Sequence, residues 1–151
     1  AATREKESLK AKIVRSVGGT YINVRETPIE TLEEKFDIII EATGRVEPTL
    51  EALSLLGPNS VMCFLGIYRE KRACKEFGKV LTTMVLGNRL MFGSVSSNKS
   101  HFGMGIKDMS AIKRRYGNVL NKLITTKLYL TDFEKAFESE KEEIKTVVYF
   151  K

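Results

Sequence analysis

The stretch Phe36-Asp37-Ile38-Ile39-Ile40-Glu41-Ala42-Thr43-Gly44 decides the fold. A short, β-branched apolar run that stops at glycine has the profile of a strand buried on both faces, as in a parallel sheet covered by helices. The same rhythm repeats outward from it. Upstream, Lys6 to Val17 places Leu9, Ile13, Val14 and Val17 at near-helical spacing and stops at Gly18-Gly19. Thr20-Tyr21-Ile22-Asn23-Val24 reads as a short strand, Pro28 closes the segment after it, and Thr31 to Lys35 reads as a helical turn. Downstream, Glu47 to Leu56 is helical, with Leu50, Leu53, Leu55 and Leu56 inward and Gly57-Pro58-Asn59 as the stop. Ser60 to Ile67 is a second buried strand broken by Gly66, Phe77 to Leu86 a helix ending at Gly87-Asn88, with a partly extended Lys79 to Val85 as the alternative, and Leu90 to Val95 a third strand.

The remainder continues the alternation. His101 to Ile124 is helical with an interruption near Gly117, and Lys127-Leu128-Tyr129-Leu130 is a short strand. Thr131-Asp132-Phe133-Glu134 reads as the cap of a helix reaching about Ser139, and Ile144 to Phe150 as a last strand. Strand and helix in turn imply an α/β fold with a parallel sheet. Ligands of such sheets sit at the carboxyl ends of the strands. Three strand ends therefore matter: Glu41-Ala42-Thr43-Gly44, Leu65-Gly66-Ile67 and Ser94-Val95-Ser96. Small residues there let a flat ring or phosphate approach the backbone. Ordinary strand-to-helix turns favour the same residues, so position alone divides evenly between a binding edge and plain turns.

Composition bounds the function. At 151 residues the chain is about one domain, and 42% hydrophobic and 29% charged residues describe a folded globular protein. No run approaches the roughly 18 apolar residues of a membrane-spanning helix, and no apolar stretch comes after Ala1 to Lys6 as a signal peptide requires. A cytoplasmic protein is expected, and the absent initiator Met suggests a fragment. The net charge of +6 is spread from Arg4 to Lys151 among acids, with only Lys113-Arg114-Arg115 clustered, which argues against a nucleic-acid footprint. Cys63 lies in an apolar run and reads as a buried small hydrophobe, while Cys74 comes after a basic segment. With two Cys and one His, neither a zinc pattern nor a histidine-based triad can be assembled. No G-x-G-x-x-G precedes a helix. Gly103-Met104-Gly105 comes after His101-Phe102 at the start of a helical pattern, and reads as two tolerated helix glycines.

Two of these stretches match a known family. The run from Phe36 to Gly44, and Leu53-Ser54-Leu55-Leu56-Gly57-Pro58-Asn59-Ser60-Val61-Met62-Cys63-Phe64-Leu65-Gly66, resemble medium-chain dehydrogenases. More specific are Val85-Leu86-Gly87-Asn88-Arg89 with Gly93-Ser94-Val95, then His101-Phe102 and Ile144-Lys145-Thr146. Together, and in order over nearly the whole chain, they resemble the C-terminal half of the archaeal-type, zinc-dependent glucose 1-dehydrogenases.

The resemblance implies residues 1–151 as the C-terminal part of an NAD(P)-binding Rossmann domain, with about 127–151 returning to the catalytic domain of an intact enzyme. It implies NADP or NAD as cofactor and an aldose such as glucose, oxidised at C1 to the lactone, as substrate. Ala2, Thr3 and Arg4 match the strand end that holds the adenosine 2′-phosphate. Thr3 replaces the first of two arginines there, and Lys6 partly substitutes. Thr43 stands at the first strand end of the cofactor site. Leu65, Gly66 and Ile67 match the turn beneath the nicotinamide, and Ser94, Val95 and Ser96 the strand end whose backbone holds the carboxamide. Ser96 stands where the family has an Asn that also touches the sugar, with Asn98 nearby as a substitute. That departure keeps a related alcohol or polyol dehydrogenase open, as well as a non-catalytic nucleotide-binding or interaction module. His101 matches a structural helix start.

The family's zinc ligands, glycine-rich turn and first strand would all lie before Ala1. A partial Rossmann-type sheet is therefore expected, with that strand missing and no activity from this chain by itself. In the order 3-2-1-4-5-6, the strand at Thr20 and those from Phe36 onward are kept. The two strands between them are lacking apart from a stub at Ala1-Ala2. Leu90 to Val95 is the outermost strand, through which a homodimer or homotetramer would pair.

Overall fold

The computed structural model describes residues 8–69, 77–138 and 143–150, together with the backbone of Ala2 and Thr3. In chain order the elements are β1 (Ala2–Thr3), α1 (Leu9–Ser16), β2 (Ile22–Asn23), β3 (Phe36–Glu41), α2 (Val46–Leu53) and β4 (Leu56–Phe64). They continue with α3 (Phe77–Leu86), β5 (Leu90–Gly93), α4 (Lys99–Tyr116), β6 (Thr126–Tyr129) and β7 (Thr146–Tyr149). Short 3₁₀ segments lie at Ile29–Thr31, Gly117–Leu123 and Leu130–Phe137. Among the described residues every strand pair is parallel, in three ladders: β1-β2, β3-β4-β5 and β6-β7. The expected α/β class with a parallel sheet and flanking helices is what forms. The stub at Ala2–Thr3 pairs with Ile22–Asn23, and no ladder among the described residues joins that pair to β3.

The chain forms two compact units, one of residues Val24–Ser96 and one of Ala1–Asn23 with Ser97–Lys151. In the second, the Ser8 side chain caps α1 by accepting from the Ala11 amide at 3.2 Å and meets the Tyr21 hydroxyl at 3.1 Å. Gly18 at φ +83° ends the helix, where an L side chain would be strained. Among the described residues, Ala11, Ile13, Tyr21 and Val119 are that unit's buried apolar side chains. Asn98 caps α4: its Oδ1 accepts from the His101 amide at 3.0 Å, and His101 Nδ1 accepts from the Asn98 amide at 3.3 Å. The structural reading of His101 therefore holds. Gly103 and Gly105 lie inside α4, as expected of helix glycines.

Several boundaries differ from the sequence reading. The second strand of the β3–β5 ladder begins at Leu56, not Ser60, because Leu56 pairs with Phe36. The register then shifts so that Ile38 meets Val61, and the extra residues are absorbed around Asn59, at φ +56°. Gly57-Pro58-Asn59 is therefore an irregularity inside a strand, and α2 stops at Leu53. The helix expected after Thr131 is a 3₁₀ segment with no side-chain cap. Its Asp132 instead bonds Lys135 at 2.8 Å. The expectation of two buried faces on β3 is overturned: Ile38 and Ile40 are 69% and 64% exposed. A strand's side chains alternate between faces, and the face bearing these two isoleucines is open while Glu41 on the other is buried. Cys63 is half-buried rather than buried. Arg4, Lys6 and Cys74 lie outside the described residues.

Candidate functional site at the strand ends

Parallel pairing sets the site. Glu41 is in register with Phe64, and Phe64 with Gly93, so the three strands of the β3-β4-β5 ladder end in one row. The segments leaving that row are Ala42 to Gly44, Leu65 to Ile67 and Ser94 to Ser96, the three strand ends singled out in the sequence. The Ser94 amide still donates to the Phe64 carbonyl at 3.0 Å, and the Leu65 amide to the Glu41 carbonyl at 2.7 Å. The sequence-predicted residues Thr43, Leu65, Gly66, Ile67, Ser94, Val95 and Ser96 are thus brought to one edge.

Two glycines let the first two turns touch backbone to backbone. A Cβ on Gly66 would fall 2.2 Å from the Gly44 nitrogen and 2.5 Å from its Cα. One on Gly44, itself at φ +64°, would fall 2.5 Å from the Ile67 carbonyl oxygen. No side chain fits at either place. Beside this junction, Leu65 is half exposed, while Ile67 and Val95 are 84% and 85% exposed. The edge therefore offers open apolar surface next to backbone, which suits a flat, partly apolar ring with polar substituents.

Beneath it lies a carboxylate that sequence reasoning named only as part of a strand end. Glu41 is 5% exposed. Its Oε1 accepts from the Thr43 hydroxyl at 2.5 Å, the Thr43 amide at 2.6 Å and the Gly44 amide at 3.1 Å. Its Oε2 accepts from the Tyr68 hydroxyl at 2.7 Å. Burial alone would push this carboxyl up. The bonds from Thr43, Tyr68 and the two amides outweigh it and hold Glu41 below its ordinary 4.5. Tyr68 is shifted up by its own burial and by the anion it serves. The Tyr68 hydroxyl, whose proton goes to Glu41, also lies 2.9 Å from the Thr49 hydroxyl, which donates to the Arg45 carbonyl at 2.7 Å. A lone acid closing an apolar strand was the available signal, since a buried charge needs several partners.

Elsewhere, Ala2 and Thr3 form β1 in the other unit, and Asn98 has its side-chain oxygen engaged in capping α4. Among the described residues no group of three His, Cys, Asp or Glu side chains could hold a metal ion. The residues here do not fit a zinc site. The glycine junction and the open edge leave exposed backbone and apolar surface together at the strand ends. Among the described residues no helix is long and apolar enough to cross a membrane.

A parallel α/β ladder with helices between its strands and a cleared edge at their carboxyl ends is the arrangement of the Rossmann-type, doubly wound folds. Comparison with known proteins narrows this class. Residues 1–150 match the family described as glucose dehydrogenase C-terminus, and the chain belongs to that family. It is 37% identical over 147 residues to a glucose 1-dehydrogenase of Caldivirga maquilingensis, covering 97% of this chain and 41% of that protein. The structure of Haloferax mediterranei glucose dehydrogenase in complex with NADP, Zn and gluconolactone superposes with a TM-score of 0.88 at 29% identity, over 99% of this chain and 42% of that one. An alcohol dehydrogenase of Thermotoga maritima gives a TM-score of 0.77 at 29% identity, over 98% of this chain and 42% of that one. The chain spans about two fifths of the length of these relatives.

Proposed function

We propose that the protein carrying these residues is an NAD(P)-dependent dehydrogenase that oxidises an aldose such as glucose at C1 to the lactone, and that this chain supplies the nicotinamide end of its cofactor site. The observation that carries the reading is the row Glu41, Phe64 and Gly93, from which three small-residue segments leave the sheet together. Family membership supports it. When bound, the dinucleotide supplies the hydride acceptor. The chain's own part is to bind and orient: Leu65, Gly66 and Ile67 lie beneath the ring, Ser94 and Val95 offer backbone groups to its carboxamide, and Thr43 lines the first turn. Arg4, with Ala2 and Thr3, takes the adenosine 2′-phosphate, and Ser96 faces both cofactor and sugar. Residues 1–151 act as the C-terminal part of the nucleotide-binding domain, with about 127–151 returning to a catalytic domain. That domain would hold the zinc seen with the Haloferax enzyme. The protein works in the cytoplasm as a homodimer or homotetramer joined along Leu90–Val95.

A second reading has its own support. Ser96 in place of the family's Asn, with the resemblance to the Thermotoga alcohol dehydrogenase, favours an alcohol or polyol substrate. A substrate panel on the longer polypeptide containing this chain, with NADP and NAD each in turn, separates the two. Reduced nucleotide formed with aldoses supports the first. Turnover confined to alcohols or polyols supports the second, and none with any substrate overturns both.

A further inference from the structure

We infer that Glu41 is a positioning residue for the dinucleotide, its carboxylate clamping the Thr43-Gly44 turn and the Leu65-Gly66-Ile67 turn into one platform. This rests on the function proposed above and adds to it a residue that touches neither cofactor nor substrate. The two turns belong to different strands, and backbone bonds alone connect them only through the Glu41 carbonyl, which accepts from Leu65 at 2.7 Å and Gly66 at 3.3 Å. The side chain adds the rest. One carboxylate oxygen gathers three donors from its own turn, and the other takes the Tyr68 hydroxyl from the segment after β4. Tyr68 in turn meets Thr49 of α2, so the same anion anchors the following helix.

The physical need is specific. Gly44 and Gly66 stand in backbone contact with no side chain to lock them. Glycine loses more conformational freedom on folding than any other residue, so ordering a binding edge made from glycine turns needs contacts that offset that cost. A nearly buried anion with four donors does so, since losing one partner strands either a donor or a charge. Glu41 is nearly buried while Leu65 and Ile67 stay exposed, and the Thr43 hydroxyl is one of the clamp's own donors. The clamp therefore sets where the platform lies without competing for the ligand.

The test uses Glu41→Gln and Tyr68→Phe in the longer polypeptide, reading dinucleotide affinity by fluorescence titration, KM for each substrate, and the thermal midpoint. Glu41→Gln keeps the volume but removes the charge. The expected loss of dinucleotide affinity is on the order of tenfold, by analogy with the outer hydrogen bonds that orient the ligands of metal sites. The aldose KM should stay unchanged, and Tyr68→Phe should weaken dinucleotide binding less, in the same direction. A lowered thermal midpoint with unchanged dinucleotide affinity makes Glu41 a fold brace and overturns the inference. If Glu41→Gln does not fold, Tyr68→Phe decides alone: unchanged affinity refutes the clamp and weakened affinity supports it. Failure of the wild-type protein to bind NADP or NAD overturns the proposed function and the clamp with it.

Discussion

At Ser96 the backbone asks for a residue that the sequence does not supply. Among the described residues, three non-glycine residues have left-handed backbone: Asn59 at φ +56°, Asn88 at +50° and Ser96 at +66°. Asparagine visits this region readily because its short amide can bond locally, whereas serine is much less suited to it. Two of the three positions thus obey the rule and the third breaks it, at one of the strand ends assigned to the ligand. Such exceptions concentrate where function holds a conformation in place. The family resemblance puts Asn at this same position, so geometry and family pattern ask for the same residue independently. Ser96→Asn should therefore recover part of the roughly 1–3 kcal/mol that an ordinary side chain costs there. A thermal melt should show a raised midpoint, and in the longer polypeptide the aldose KM should change as well. An unchanged or lowered midpoint would show that the surroundings, not the side chain, set this φ.

At the scale of the element, the capping box of α4 is the best-defined local device. Asn98 and His101 each accept the other's amide hydrogen, satisfying two donors that the helix cannot pair internally. Asn98→Ala should cost about 1 kcal/mol and speed amide exchange in the first turn of α4 while leaving β3 to β5 protected. Uniform loss of protection across both units would refute a local role. Helix glycines and apolar strands were legible because they derive from period and composition: Phe36 to Gly44 and Phe77 to Leu86 read correctly as elements. Gly57-Pro58-Asn59 did not, since a turn signal says nothing of the pairing partner, and here Phe36 recruits Leu56 into the ladder ahead of the signal. Nor does an apolar run report whether a layer covers it, which is why Ile38 and Ile40 read as buried. The three strand ends were found from position, but the Glu41 clamp was not. Its donors come from Thr43, Gly44 and Tyr68, and only folding brings the last of these to the carboxylate.

For the whole molecule, β5 raises the question of assembly. Among the described residues it pairs with β4 on one side only, and Leu90 and Phe92 are about half exposed. An open edge of this kind templates pairing with another chain. Arg89 does not guard it, because its Nε donates to the Gly57 carbonyl at 3.1 Å. Antiparallel pairing of β5 with its copy across a twofold axis would satisfy the outer groups and run two ladders into one sheet. The direction of the amides makes this testable without damaging the ladder. Ser94 donates inward to Phe64, so by the strand's period of two the amides of Leu90 and Phe92 also point toward β4, and that of Met91 points to the open edge. Proline lacks a donor and is tolerated on an edge strand where the N–H would face outward. Met91→Pro should therefore keep the circular dichroism of the wild type while shifting sedimentation toward monomer. Phe92→Pro, which removes an inner donor, should instead unfold the ladder. A dimer that survives Met91→Pro with its sedimentation unchanged would place the interface on another surface.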